Sequence, residues 1–449
     1  MENDEQLFCP SSSSISTSPL TIPEIAQIIC TFVGPKDMMN LALSCRTMYY
    51  AMIVQLWHTL QPRSHMVLRK LKNTLEGRHG SWKSMDPQYS RQVRVFRWSS
   101  LKDDPTMTTT TTTTNNVNTT ITTTTTTTTH MFLERPFFDH FLFPRLQRLE
   151  FSYAAAQDFA VAPMIRAARH TLRHVDLSHC YCLSTEAISG LLSVPARLET
   201  VILYGCGKID GGALVRLVRQ HGATLKCLRL TDITDVVLDA IRQHCPLLED
   251  LGLEHCSEDG VSEAGLGRFS QAAPHHLSRL RLRDIANLTT PHLGRMAHGL
   301  VHLDLSECAR VRDLAVLAPL CPALQVLCLA YQAGVSTLAI QQFALFCHDL
   351  HHLDVSGSNT TEHVLLLDDA LDPSRLGALR ELNLSGLEAQ LSPDLLFRLL
   401  TLLPSLNELC LGVAYDLADA VSILDQINHS RQLYRMNVEK CHTICRIDS

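Results

Sequence analysis

Residues 300–305 read LVHLDL and residues 324–329 read LQVLCL. Counting from the leading leucine, both place apolar residues at offsets 0, 3 and 5. The last two lie two residues apart, so they share one face of an extended chain. The same pattern stands upstream as LQRLEF (Leu146), LRHVDL (Leu172), LETVIL (Leu198), LKCLRL (Leu225), LEDLGL (Leu248) and LSRLRL (Leu277). Downstream it continues as LHHLDV (Leu350), LRELNL (Leu379), LNELCL (Leu406) and LYRMNV (Leu433). The twelve leading leucines are 23 to 29 residues apart, and offsets 0, 3 and 5 are apolar in every copy of a chain that is 45% apolar overall. Composition alone does not produce that regularity.

One such strand cannot bury its apolar face by itself, whereas stacked copies build a continuous ladder and core. Between the strands lie stretches of helical periodicity, such as TEAISGLLSV, DGGALVRLVRQH, TDVVLDAIRQH and SPDLLFRLLTLL. Asp210, Thr234 and Ser392, the last followed by Pro393, stand where capping residues open helices. Strands ~4.8 Å apart backed by wider helices force curvature, which predicts an α/β horseshoe whose parallel sheet runs ~55 Å around the inside.

The copies resemble leucine-rich repeats of the cysteine-containing subtype, which implies a right-handed solenoid of about twelve repeats. Cys180, Cys206, Cys256, Cys308 and Cys441 hold offset 8, and Cys245, Cys321 and Cys347 stand three residues before a strand copy. Eight of the 16 cysteines thus fall in two repeat slots. A metal or redox array would use thiols so placed, but a small hydrophobe buried at a tight turn fits the register better.

The 449 residues carry 39 Lys+Arg against 45 Asp+Glu, a net charge of −6, which leaves no cation excess for a phosphate backbone. No apolar stretch approaches the ~20 residues that span a bilayer, and the acidic N-terminus MENDEQLFCP lacks a signal-peptide plan. Reduced thiols in the cytosol or nucleus are therefore expected, with neither membrane nor nucleic acid as partner.

Composition divides the chain into a polar, disordered N-terminus (1–18), a helical module (19–60), a basic linker or N-terminal cap (61–105), a threonine tract (106–129) and the repeats (130–449). Within 106–129, 18 of 24 residues are threonine, too few large apolar side chains to offset the entropy of ordering. In the basic segment RQVRVFRW alternates like a strand, with Val93 and Val95 set against Arg94 and Arg97, and would seal the edge of the ladder.

Residues 20–60 hold three short helical stretches, opened by Pro23-Glu24 and broken at Gly34-Pro35. The stretch resembles an F-box, through Ile22-Pro23-Glu24-Ile25, Asp37-Met38, Cys45-Arg46 and Leu56-Trp57. It departs from that family in a shortened opening and in Met48, which stands where tryptophan is usual. The resemblance, strengthened by the repeats that follow, implies a non-catalytic substrate receptor of a Skp–cullin–F-box ubiquitin ligase, with no cofactor. Leu20, Ile22, Pro23, Ile25, Ile28, Leu41, Leu43 and Cys45 would then dock the Skp adaptor and, through it, the cullin. The alternative is an interaction scaffold whose N-terminal helices merely cap the solenoid.

Side chains at offsets 2, 4 and 6 alternate away from the core and would line the concave face. Tyr204, Arg229, Arg279, Arg281, Arg283 and Tyr331 are the candidate contacts for a protein substrate, since arginine and tyrosine are enriched at binding hot spots. A row of three arginines would also suit a phosphorylated or acidic segment. Against this, Asp250, Glu254 and Asp304 stand in neighbouring copies, so the arginines can instead pair across the ladder. His-x-Asp-x-Ser recurs at His174, His302 and His352 but in repeat register, which points to architecture rather than catalysis. Phosphate-binding glycine loops and HExxH are missing from the sequence, and Cys441-His442-x-x-Cys445 lacks a second ligand pair for zinc.

Overall fold

In a computed structural model the chain is described at residues 57–61, 67, 71, 91–99, 142–152, 156–195, 197–358, 376–385, 403, 405–411 and 435–438. The Skp-docking residues Leu20 to Cys45, Met48, the threonine tract, the Ser392-Pro393 helix and the Cys441–Cys445 cluster lie outside the described residues. The chain divides into two units, Met1–Leu198 and Glu199–Ser449.

In the first unit the strands are β1 (Thr59–Leu60), β2 (Val95–Ser99), β3 (Arg148–Ser152) and β4 (His174–Asp176), paired in parallel in chain order. Helices α1 (Asp158–Ala167) and α2 (Thr185–Leu192) follow β3 and β4. The strand β2 was anticipated, but its buried face differs from the expected one. Phe96 and Trp98 turn inward, Val95 and Arg97 are half-buried, and buried Val93 precedes the strand. Val93, Phe96 and Trp98 fall at offsets 0, 3 and 5 of a further copy, in register with Leu146, Leu149 and Phe151. The aromatic volume explains the inward choice: Phe96 lies 5.7 Å from the rings of both Phe143 and Phe151. Trp57, read as the end of the helical module, leads directly into β1, the strand beside β2.

In the second unit the strands are β5 (Thr200–Ile202), β6 (Cys227–Thr231), β7 (Asp250–Cys256), β8 (Arg279–Ile285), β9 (His302–Asp304) and β10 (Val326–Cys328). They continue as β11 (His352–Asp354), β12 (Glu381–Leu384), β13 (Glu408–Leu411) and β14 (Arg435–Val438). All pair in parallel with their sequence neighbours, apolar residue opposite apolar residue at the inward positions. Helices α3 (Gly211–His221), α4 (Asp235–His244), α5 (Glu263–Gln271), α6 (Thr290–Met296) and α7 (Thr337–Phe346) connect them, and a 3-10 turn, Leu314–Leu320, replaces the helix before β10. This is the α/β leucine-rich-repeat architecture that the spacing predicts. In the ten copies from Leu146 to Leu379, offsets 0, 3 and 5 are all at most 6% exposed.

The capping prediction holds for Asp210, whose side chain accepts from the Ala213 N–H. Thr234 occupies its N-cap position without a side-chain cap bond. The cysteine slots are buried at Cys180, Cys206, Cys245, Cys256, Cys308, Cys321 and Cys347. Several thiols donate to backbone carbonyls, Cys308 Sγ to Leu282 O at 2.9 Å among them, and burial pushes Cys256 up to about 11 and Cys308 up to about 12. Cys256 and Cys308 thus act as small apolar spacers with a weak donor, not as thiolates.

A regularity without a residue signature sits at offset 7. His179, Gly205, Asp232, His255, Asp284, Glu307, Tyr331 and Gly357 all have φ between 50° and 68°. The left-handed residue turns the chain off the strand so that offset 8 re-enters the core.

If residues 93–98 are a true rung, Phe96→Ala removes a fully buried ring and lowers unfolding free energy by about 3–5 kcal/mol. Val95→Ala changes it by less than about 1 kcal/mol, because that side chain faces outward. Urea unfolding followed by circular dichroism separates the two; equal small effects would mean that the segment only leans on the sheet.

Candidate functional site

The parallel register sets adjacent copies side by side, so outward side chains form lateral rows. One row brings Asp250, Arg279 and His302 together, the next Gly252, Arg281 and Asp304. Direct opposition does not decide the pairing here. Arg281 lies opposite Asp304 yet reaches back to Asp250, with Nη1 at 2.5 Å from Oδ1. Arg229 takes the other oxygen of the same carboxylate, Nη2 to Oδ2 at 2.9 Å. Asp304 is occupied by its own copy, accepting the Ser306 N–H at 3.0 Å and its hydroxyl at 2.6 Å.

Asp250 thus bridges two guanidinium groups and is itself buried. Burial pushes its carboxyl up, but the bonds from Arg229 and the charges of Arg281 and Arg229 outweigh this and hold it below the ordinary carboxylate range. Tyr204 completes the cluster. Its ring lies 6.0 Å from the Arg229 guanidinium, and its hydroxyl occupies the space that a Cβ on Gly252 would need. The glycine is what allows tyrosine to lie flat across β6 onto β7. Burial pushes the phenol well above its usual range. Buried Glu254 accepts from Thr231 Oγ1 at 2.9 Å, which in turn accepts the Gly205 N–H at 2.7 Å.

The remaining sequence candidates divide. Arg283 pairs with Glu307 on the rim, Nη2 to Oε1 at 2.8 Å. Arg279 is exposed and, among the described residues, has no ion pair. Tyr331 stands apart from the arginines, at the left-handed turn after β10, 63% exposed. The structure thus joins Tyr204, Arg229 and Arg281 into one network, with Asp250 as its hub. The sequence pointed to Asp304 as the acid facing Arg281; the diagonal reach of a long side chain redirects it. Gly252 as a platform was not anticipated, although a glycine at an outward offset between charged copies was the available signal.

The His-x-Asp-x-Ser copies form no catalytic relay. In each the serine N–H donates to the aspartate Oδ1 two residues before it, for Ser178, Ser306 and Ser356 alike, and Asn383 accepts from Ser385 in the same way. These are turns that close the strand end. His302, half-buried beside Arg281, is held down to about 4, first by burial and then by that positive charge. Among the described residues no cluster of His, Cys, Asp and Glu could hold a metal ion, and no helix is long and apolar enough to cross a membrane.

Comparison with family models finds no match, and comparison with curated proteins finds none. Among solved structures, the fold is similar to a chain of the yeast Rad7 and Elc1 complex. The TM-score is 0.54 and the identity 19%, with 70% of this chain and 82% of that chain covered. An internalin of Listeria monocytogenes has TM-score 0.38 at 14% identity, over 75% of this chain and 79% of that one. The leucine-rich-repeat protein LegL7 of Legionella pneumophila has TM-score 0.38 at 15% identity, over 60% and 95%. At these identities the likeness to the Rad7 complex speaks for the fold alone.

Removing the hub strands two partly buried cations. Asp250→Ala is expected to cost about 2–3 kcal/mol, at the low end for a buried pair because both guanidinium groups keep some water. Urea unfolding at neutral pH reads it, and an effect near zero would mean that the cluster is solvated.

A depressed histidine binds its proton less readily folded than unfolded, so stability rises with pH wherever only the unfolded chain is protonated. The urea midpoint should therefore rise between about pH 4 and pH 6.5, and His302→Gln should flatten that slope. Asp250 acts in a separate, lower window: its contribution is present above the ordinary carboxylate range and disappears as pH falls through its depressed value.

Proposed function

We propose that this chain is a non-catalytic substrate receptor. Residues 20–57 dock the Skp adaptor of a cullin ubiquitin ligase, and the strand face turned away from the helices holds the protein to be modified. Ubiquitin transfer is then catalysed elsewhere in the complex, and this chain contributes proximity. The observation that carries the reading is the order of parts: an F-box-like pattern ahead of leucine-rich repeats whose strand face carries arginine and tyrosine. A solved chain of similar fold, in the Rad7 and Elc1 complex, also occurs with a second protein. Within the receptor, Leu20, Ile22, Pro23, Ile25, Ile28, Leu41, Leu43 and Cys45 form the adaptor-docking face. Tyr204, Arg229, Arg279, Arg281, Arg283 and Tyr331 belong to the substrate face.

One observation favours the alternative of a scaffold with a helical cap. Trp57 leads straight into β1, which pairs with β2. The end of the N-terminal module is thus continuous with a sheet, as a cap would be.

Pull-down of purified Skp subunit by the full-length protein separates the readings. Binding by wild type, lost in a Pro23→Ala/Ile25→Ala/Leu41→Ala variant with unchanged circular dichroism, supports the receptor. A folded wild-type chain that leaves the Skp subunit in solution removes the ligase reading and leaves the scaffold.

A further inference from the structure

The copy that begins at Leu324 departs from its neighbours in four ways within seven residues. First, at offsets 2, 4 and 6 it has half-buried Val326 and Cys328 and buried Ala330, whereas the copies on either side have His302, Asp304, Ser306 and His352, Asp354, Ser356. Second, Cys328 and Ala330 cannot form the aspartate–serine turn that closes those neighbouring strands. Third, the left-handed position at offset 7 is filled by Tyr331, with φ 54°. A bulky side chain is rare there, and glycine holds the same position at Gly205 and Gly357. Fourth, offset 8, an apolar slot in most copies, holds buried Gln332, whose Oε1 has no hydrogen-bond partner.

None of these choices favours stability. Strain and unmet polar groups that persist in an otherwise consistent array mark positions kept for another purpose. Gly357 shows how the tyrosine is carried: the ring fills the space that a Cβ there would take, so Tyr331 leans along the rim beside the apolar strip. The surroundings supply a sign. Arg279, His302 and Val326 share one lateral row, so Arg279 stands two strands from Val326, about 10 Å away. It is also the one arginine of the candidate face that makes no ion pair among the described residues.

We infer that β10 and Tyr331 form an anchor for an extended segment of another protein, in which a large apolar side chain and a carboxylate lie two or four residues apart, on one face of the segment. The apolar side chain rests on half-buried Val326 and Cys328 against the Tyr331 ring. The carboxylate meets Arg279: two residues of extended chain rise about 6.6 Å and four about 13 Å, and the long arginine side chain makes up the difference from the two-strand gap of about 10 Å. This rests on the reading of the strand face as a protein-binding surface and narrows the partner's chemistry. The arginines bound to Asp250 and Glu307 are already neutralised; Arg279 is left to read charge.

Selection of displayed random dodecapeptides on the full-length protein tests it. Enriched sequences should carry Phe, Leu or Met two or four residues from Asp or Glu. Resynthesised peptides, followed by fluorescence polarisation, should bind at least tenfold more weakly to Val326→Asp. With Arg279→Glu they should prefer Lys at the acidic position. Tyr331→Gly should also weaken binding tenfold or more while its thermal midpoint stays equal or rises, an outcome that a merely structural tyrosine would not give. Should Val326→Asp fail to fold, Arg279→Glu and Tyr331→Gly carry the test. No enriched sequence, or enriched peptides that bind all the folded variants equally, overturns the anchor. Skp binding measured on the same preparations keeps the questions apart: peptide binding without Skp binding removes only the ligase, and the reverse removes only the anchor.

Discussion

A short strand with three inward apolar side chains is stable only when another like it lies on each side. That constraint governs both units. It requires the parallel, in-register pairing, because leucine must meet leucine at the same depth, and it fixes which side chains face outward. It also fixes how the chain leaves each strand. A residue at offset 7 must adopt a left-handed conformation so that offset 8 can return to the core, and eight successive copies obey this with five different residue types. Surface chemistry is therefore arranged by the core: the rows of charge are a by-product of the leucine register.

Legibility followed that hierarchy. The twelve copies, their parallel pairing and the burial of the slot cysteines from Cys180 to Cys347 could be read directly, because burial restricts residue type. The copy at Val93, Phe96 and Trp98 escaped notice because aromatics replaced leucine and because 53 residues, not 23 to 29, separate it from the next. The left-handed turn was invisible for the opposite reason: His, Asp, Glu, Tyr and Gly all fill it, so backbone demand leaves no single signature. Thr234 stood in the right place for a cap yet formed no cap bond, since position alone does not set a rotamer.

The candidate site shows where register stops being enough. Arg281 and Asp304 are opposite, as the alignment of copies predicts, but Asp304 is held by Ser306 and Arg281 turns to Asp250. Long side chains choose among several neighbours, and the choice depends on what each acid already accepts. An aspartate two residues before a serine is spoken for by its own turn. An aspartate followed two residues later by Gly252 is not, and it gathers two arginines. Which charges remain available to a partner follows from these local competitions rather than from the count of arginines.

The 53-residue interval between Val93 and Leu146 has a consequence for how much length the chain tolerates between two paired strands. β2 and β3 are hydrogen-bonded neighbours although the threonine-rich segment lies between them in sequence. For a flexible connection, closure entropy grows only with the logarithm of length, about 0.6 kcal/mol per doubling. A threonine tract that behaves as such a connection could gain or lose residues at almost no cost to the ladder, whereas a single-residue insertion within β2 or β3 would turn every following inward side chain outward.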